Sequence, residues 1–266
     1  MNIVVCIKEI PDPEATIDFY RLDTAQQALV GSSKVLKVVN PFDEQAVEAA
    51  LRIKDKTGAK VTVLSLGNNL DRVVVKKPLH MGADDLILLE DEAYAGADSW
   101  STAHALAAAI RKIGEYDLIL CGRQAADSNA GQTGLGMAEI LGLPCVTVAR
   151  KIEVTDGVAT VERVIPNGYE TVEVTLPALI TVSNELGQAR YPAIKNIARS
   201  NAIKPVIWKP EDIGLGPDAV GRQGRQLTIT DLFLPVFEAT CEIVTGETVQ
   251  EAAQSLAVRL REERIL

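Results

Sequence analysis

The hydrophobic pattern alternates between two periods. Residues 2–8 (NIVVCIK), 59–67 (AKVTVLSLG), 85–91 (DLILLED) and 116–122 (YDLILCG) are short, nearly unbroken apolar runs. Such runs read as strands covered on both faces. Each is followed by a segment with apolar residues three and four apart, at 40–58, about 69–81, 99–114 and 132–142. In the first of these, Ala46, Val47, Ala50, Leu51 and Ile53 mark one helix face. Asn40 stands at the N-cap position, acidic residues fill the first turns, and Gly58 follows Lys54 and Lys56, which are the start and stop signals of a helix. In the third, Asp98 or Ser99 caps the start and Gly114 the stop. Four strand–helix alternations predict a parallel sheet with right-handed crossovers and helices on both faces. Ligands of such sheets bind beyond the carboxyl ends of the strands, where helix N-termini point.

Two stretches depart from this rhythm. PDPEA at 11–15 breaks the first unit, and 15–39 is irregular, with TIDFYRL and ALVGSSKVLKVV as short strands. After Pro144 the period becomes two, with TDG and PNG as hairpin turns, so residues 145–183 read as antiparallel strands added to the sheet or packed at its edge. Residues 184–246 are rich in Pro, Gly and isolated charges, and TVQEAAQSLAVRLREERIL at 248–266 is an amphipathic helix. The expected organisation is an α/β domain over 1–183 and an extended arm over 184–266 that wraps a partner or its own core.

Composition narrows the function classes. Of 266 residues 47% are hydrophobic and only 4% aromatic, so the core is built from Val, Ile, Leu and Ala. A net charge of −9 argues against non-specific nucleic-acid binding and anionic membrane surfaces. Two histidines, His80 and His104, leave little for a zinc site, a di-iron site or a hydrolytic triad. The cysteines at 6, 121, 145 and 241 show no CxxC spacing, and three lie in apolar runs. They read as buried free thiols in a reducing compartment. MNIVVCIKEI lacks a basic signal-peptide start, and no uncharged apolar run reaches eighteen residues. The expectation is a soluble cytoplasmic chain without direct membrane insertion.

The candidate chemistry lies at 122–134, GRQAADSNAGQTG, where the fourth strand passes into the fourth helix. Gly122 permits a sharp turn or a close backbone approach. Asp127, Ser128 and Asn129 suit capping, ligand hydroxyls or closure of the loop on itself. Gln132, Thr133 and Gly134 present free backbone N–H groups at a helix start, where a phosphate is favoured. An ordinary polar strand–helix turn fits the same residues. The loop matches neither GxGxxG nor GxxxxGK[ST]. CIKEIPDP after the first strand and SLGNN after the second reach the same edge, and VNPFDE feeds the first helix.

CIKEIPDP at 6–13, NPFDEQAVEAA at 40–50, MGAD at 81–84, GRQAADSNAGQTG at 122–134, LPALITV at 176–182 and ARYPAIKNI at 189–197 occur in this order. The ordered set, spanning nearly the whole chain, resembles the beta-subunit family of electron-transfer flavoproteins, bacterial and archaeal type. The resemblance implies an adenine-nucleotide-binding, Rossmann-like α/β domain paired with an alpha subunit that makes most contacts to a shared FAD. It implies AMP in this subunit, or a second FAD in electron-bifurcating members that oxidise NADH. The implied nucleotide site comprises Cys6, Asn40, Pro41, Phe42, Asp43, Leu66, Gly122, Arg123, Gln124, Ala125, Ala126, Asp127, Ser128, Asn129, Ala130, Gly131, Gln132 and Thr133. Cys6 and Leu66 would act through backbone and packing, and 129–133 would hold phosphate.

Arg190, Tyr191, Pro192, Ala193, Ile194 and Lys195 resemble the family's docking loop, with Ile194 as apolar anchor where Leu is usual. The implied redox partners are acyl-CoA dehydrogenases or a membrane quinone oxidoreductase. No residue is implied as a bond-making catalyst. Pro13 replaces a common aromatic residue and Val164 a common Glu. Ala130, where bifurcating members generally show Thr, favours AMP, while MNIVVCIK and GADSWSTA at 96–103 resemble the bifurcating branch. A stand-alone nucleotide-binding or ATP pyrophosphatase-like protein is the rival from another class, and it leaves 184–246 unexplained.

Overall fold

The four apolar runs become neighbouring strands in the middle of one nine-stranded sheet. A computed structural model describes residues 1–23, 28–233 and 241–266. In chain order, β1 (Asn2–Ile7) is followed by four short strands, β2 (Glu9–Pro11), β3 (Tyr20–Asp23), β4 (Ala28–Gly31) and β5 (Lys37–Val39). Then come α1 (Pro41–Thr57), β6 (Lys60–Gly67), α2 (Arg72–Val75), α3 (Lys77–Met81), β7 (Asp85–Glu90), α4 (Ser99–Ile113), β8 (Leu118–Gly122) and α5 (Gln132–Leu141). The second half holds β9 (Cys145–Thr155), β10 (Val158–Ile165), β11 (Gly168–Thr175), β12 (Ala178–Val182), α6 (Ile194–Ser200), β13 (Val206–Trp208) and α7 (Val249–Glu262). The large sheet runs β11-β10-β9-β12-β8-β1-β6-β7-β13. β2 with β5 and β3 with β4 form two small antiparallel ribbons.

Period explains the layers. Along β1, Ile3, Val5 and Ile7 turn to one face and pack with Ala46, Val47, Ala50 and Leu51 of α1. Val4 and Cys6 turn to the other and pack with Leu106 and Ile110 of α4 and Met137 of α5. A strand sandwiched this way has no polar face, and burying each Leu or Ile stabilises the fold by about 1.5–3 kcal/mol. Gly136 has Ala103 Cβ only 3.0 Å from where its own Cβ would stand, which lets α4 and α5 approach closely.

Several details depart from the sequence reading. The helix expected over 69–81 is two pieces, α2 and α3, meeting at Lys76. Pro78 follows in the first turn of α3, and its missing N–H and its ring are incompatible with continuation from Val74. Residues 145–175 form the expected antiparallel hairpins. β12, however, is a fully buried strand inserted parallel between β8 and β9, as its unbroken ALITV run allows. β13 joins the edge beyond β7, and three residues are too few for a period to show.

Asp98 caps α4 in a capping box with Ser101. Cys6 and Cys121 are buried, but Cys145 and Cys241 are exposed, because Cys145 opens its strand facing solvent rather than the core. No helix among the described residues is long and apolar enough to cross a membrane.

Contacts divide the chain into residues 1–230 and 231–266. In the second unit Thr248 caps α7, Arg259 pairs with Glu242 and Glu263, and no helix residue is buried. Residues 234–240 of the predicted arm lie outside the described residues.

Candidate functional site

Asp43, in the first turn of α1, organises the carboxyl edge of the sheet. Its carboxylate accepts the Lys8 N–H at 2.7 Å and the Gly122 N–H at 2.8 Å, tying the end of β1 to the end of β8. Burial pushes its pKa up to about 6, although these N–H groups pull the other way. Gly122 has no room for a side chain, since a Cβ would lie 2.5 Å from Asp43 Oδ1 and 2.7 Å from Phe42 Cβ. Asn40 precedes α1 but makes no side-chain cap. It donates from Nδ2 to the Gln124 carbonyl at 2.9 Å and accepts the Ala126 N–H at 3.1 Å. The helix start is thereby bolted to the loop after β8.

That loop is closed on itself. The Asn129 N–H donates to the Ala125 carbonyl at 2.8 Å, and the Ala125 N–H to the Ala130 carbonyl at 3.0 Å. Asn129 adopts φ 55°, a left-handed conformation that Asn tolerates, and its Oδ1 accepts from Gln124 Nε2 at 3.0 Å. Asp127 receives Lys8 Nζ on both oxygens, at 2.8 and 2.7 Å, and Ser128 Oγ donates to the same carboxylate. The Arg123 guanidinium lies 4.9 Å over the Phe42 ring, and the Arg123 main-chain N–H donates to the Val182 carbonyl at 2.9 Å. α5 then begins at Gln132 with no side-chain cap, so its first N–H groups lack intrahelical acceptors.

These elements enclose a cavity of about 270 Å³. Of the expected site residues, Cys6, Asn40, Asp43, Leu66, Gly122, Arg123, Gln124, Ala125, Ala130, Gly131 and Thr133 line it. Pro41, Phe42, Ala126, Asp127, Ser128 and Asn129 do not line the cavity; Phe42, Ala126 and Asp127 support residues that do, through the contacts above. Gln132 faces elsewhere, with Trp100, Leu135 and Cys145, in a more open cavity of about 1030 Å³ between the start of α4 and α5 and the strands β9–β11.

Sequence reasoning placed CIKEIPDP at this edge without singling out Lys8, and it missed Tyr94 to Ala97, Thr102, Leu106 and Met137 as wall residues. Gly96, at φ 69°, was the available signal for a turn approaching the site.

The walls suit a polar ligand with an apolar face. Among the lining residues, Tyr94 OH and Arg123 Nε are buried without a protein hydrogen-bond partner. Burial, followed by nearby carboxylates, pushes the Tyr94 phenol up. The Cys6 thiol donates to Met137 Sδ at 3.9 Å. Burial pushes both the Cys6 and Cys121 thiols far up, so they are neutral packing surface rather than nucleophiles. Among the described residues no cluster of His, Cys, Asp and Glu could hold a metal.

The 190–195 segment is separate from this cavity. Tyr191 is 80% and Ile194 87% exposed, so Ile194 is not a core residue. Arg190 is paired with Glu48 and Asp55, and the Ala193 N–H donates to the His80 carbonyl at 3.1 Å.

Fold and cleft place the molecule among α/β proteins with a mostly parallel, Rossmann-like sheet and a ligand-sized cavity at its carboxyl edge. Residues 30–211 match the Electron transfer flavoprotein domain. The chain is 39% identical, over all of both chains, to Electron transfer flavoprotein subunit beta of Thermoanaerobacterium thermosaccharolyticum. It is 38% identical, again over all of both chains, to Caffeyl-CoA reductase-Etf complex subunit CarD of Acetobacterium woodii. Identity to Protein FixA of Azorhizobium caulinodans is 35%, covering 97% of this chain and 92% of that one. The chain belongs to the electron-transfer flavoprotein beta-subunit family.

Proposed function

We propose that the chain is the beta subunit of a heterodimeric electron-transfer flavoprotein. It holds AMP in the carboxyl-edge cavity, helps house a FAD carried mainly by an alpha subunit, and docks through 190–195 on acyl-CoA-type dehydrogenases. The observation that carries the AMP reading is the small size of the cavity at the carboxyl edge. At about 270 Å³ it lies just below the usual range of ligand sites, which suits a mononucleotide better than a whole dinucleotide. The flavin half of a FAD would have to lie outside it.

The residues fit that group. Cys6, Leu66, Leu106 and Met137 offer apolar packing for a base. The start of α5 offers N–H groups for phosphate, where the helix dipole favours negative charge. Lys8, paired with Asp127, adds positive charge at the wall. The flavin supplies the redox chemistry when bound. This chain's residues bind, orient and exclude water, and none of them is placed to make or break bonds.

A relative titled Acryloyl-CoA reductase electron transfer subunit gamma, at 30% identity, and the caffeyl-CoA reductase complex subunit both carry CoA-ester reductases in their names. These names support a CoA-ester dehydrogenase or reductase as redox partner. They also keep a second reading open, a bifurcating flavoprotein with a second FAD in this subunit. Co-expression with an electron-transfer flavoprotein alpha subunit tests the pairing. The proposal expects a yellow heterodimer, and a colourless, monomeric, folded chain that binds no alpha subunit would refute it.

A further inference from the structure

We infer that Glu48 is the positioning residue of the docking segment, holding Arg190 from α1 so that Tyr191 and Ile194 project from the fold in one arrangement. This rests on the docking reading of 190–195. Glu48 is 5% exposed, in the middle of α1. Its Oε2 accepts the Arg190 N–H at 3.1 Å and Nε at 2.8 Å, and its Oε1 accepts Arg52 Nε at 2.8 Å. Arg190 also reaches Asp55 at 2.8 Å.

Arg52 in turn donates to the Leu186 carbonyl at 3.0 Å and the Gln188 carbonyl at 3.4 Å. Positions 48, 52 and 55 are four and three apart, hence on one face of α1. That face grips residues 186–190 through backbone as well as side chains.

The far end of the segment is gripped from the α3 turn, where Asn196 Nδ2 donates to the Met81 carbonyl at 3.2 Å. Between the two grips the chain has no apolar cover, and Ile194 and Ile197, three apart on α6, face outward. Burying a carboxylate is costly unless it is paired, and an apolar pair would serve stability as well. What the charge cluster adds is a single geometry for the segment beside it. Burial pushes the Glu48 carboxyl up, but the hydrogen bonds from Arg190 and Arg52 outweigh it and hold it below its ordinary value. It is therefore ionised throughout the physiological range. The platform is stiff, because the same helix is fixed at its start by Asp43 to β1 and β8.

The test uses the heterodimer and a purified acyl-CoA dehydrogenase that reduces the wild-type protein. Ile194→Ala is expected to raise KM for the dehydrogenase about tenfold with kcat unchanged, as for loss of an apolar anchor. Glu48→Gln is expected to raise KM about fivefold, leave kcat and bound nucleotide unchanged, and speed amide exchange at 190–197. In the double variant the KM should be no higher than with Ile194→Ala alone, since both act on one contact.

If Ile194→Ala raises KM while Glu48→Gln leaves KM and exchange at wild-type values, the inference fails and the docking reading stands. If Ile194→Ala leaves KM unchanged, the docking reading fails and the inference with it. Should Glu48→Gln lower the bound nucleotide, Glu48→Asp, which keeps the charge on α1 but draws the carboxylate back from Arg190, is judged by the same criteria.

Discussion

Asp43→Asn isolates the electrostatics of the carboxyl edge. In the wild type one carboxylate, 6% exposed, accepts two main-chain N–H groups from β1 and β8. Its pKa of about 6 against an ordinary 3.8 makes the ionised form about 3 kcal/mol costlier in the folded than in the unfolded chain. Asn removes that cost. It also turns an amide N–H₂ toward one of the two donors, leaving it unpaired at a cost of about 1–3 kcal/mol. At pH 7.5 the two effects nearly cancel, and the variant should unfold within about 2 kcal/mol of wild type.

The difference should depend on pH in one direction only. A carboxyl with a raised folded pKa binds its proton more tightly when folded, so its contribution is fully present below the unfolded value near 4. It is lost as pH rises through about 6. Between pH 7.5 and pH 5 the wild type should therefore gain about 1.4 kcal/mol relative to Asp43→Asn. The assay is urea unfolding of both proteins, at fixed concentration and with nucleotide, at pH 7.5, 6.5, 5.5 and 5. A difference that stays flat with pH, or moves the other way, would refute the buried-carboxylate argument.

Other perturbations probe neighbouring contacts. Gly122→Ala forces a Cβ to 2.5 Å from Asp43 Oδ1 and should destabilise the protein by about 1–3 kcal/mol and abolish nucleotide retention, read by thermal melting and nucleotide release. Lys8→Ala removes a half-exposed ion pair to Asp127; melting should change by less than about 1 kcal/mol while amides of 123–130 exchange faster. Asn40→Ala cuts both bonds to the loop and should cost about 1–3 kcal/mol, with the same segment loosened. Iodoacetamide at pH 8 should label Cys241 and Cys145 while Cys6 and Cys121 stay protected by burial until unfolding, which peptide mass spectrometry resolves.

Strand runs and helix faces were legible because each needs only local periodicity. β1, α1, β6, β7, α4, β8 and α5 stand within two residues of where the pattern puts them. Legibility failed where tertiary context decides. The parallel place of β12 inside the sheet was hidden because a short strand buried on both faces carries no sign of direction. Pro78 splits a helix whose apolar spacing looks continuous. At the site, the loop after β8 was visible from its glycines and polar residues. The job of Asn40 was not, since an Asn before a helix reads as a cap whether or not its side chain turns to a loop 84 residues on. Leu106 and Met137 read as ordinary core and reach the cavity only through the packing of α4 and α5 on the sheet, while Tyr94 reaches it from the turn after β7. The Glu48–Arg190 pair spans 142 residues, a distance no local pattern encodes.

What the carboxyl-edge cavity holds separates an AMP-binding subunit from one with a second FAD. Acid release of everything bound to the purified heterodimer, followed by chromatographic counting, measures it. One FAD and one AMP per heterodimer are expected. Two FAD and no AMP would contradict this and establish the bifurcating reading instead.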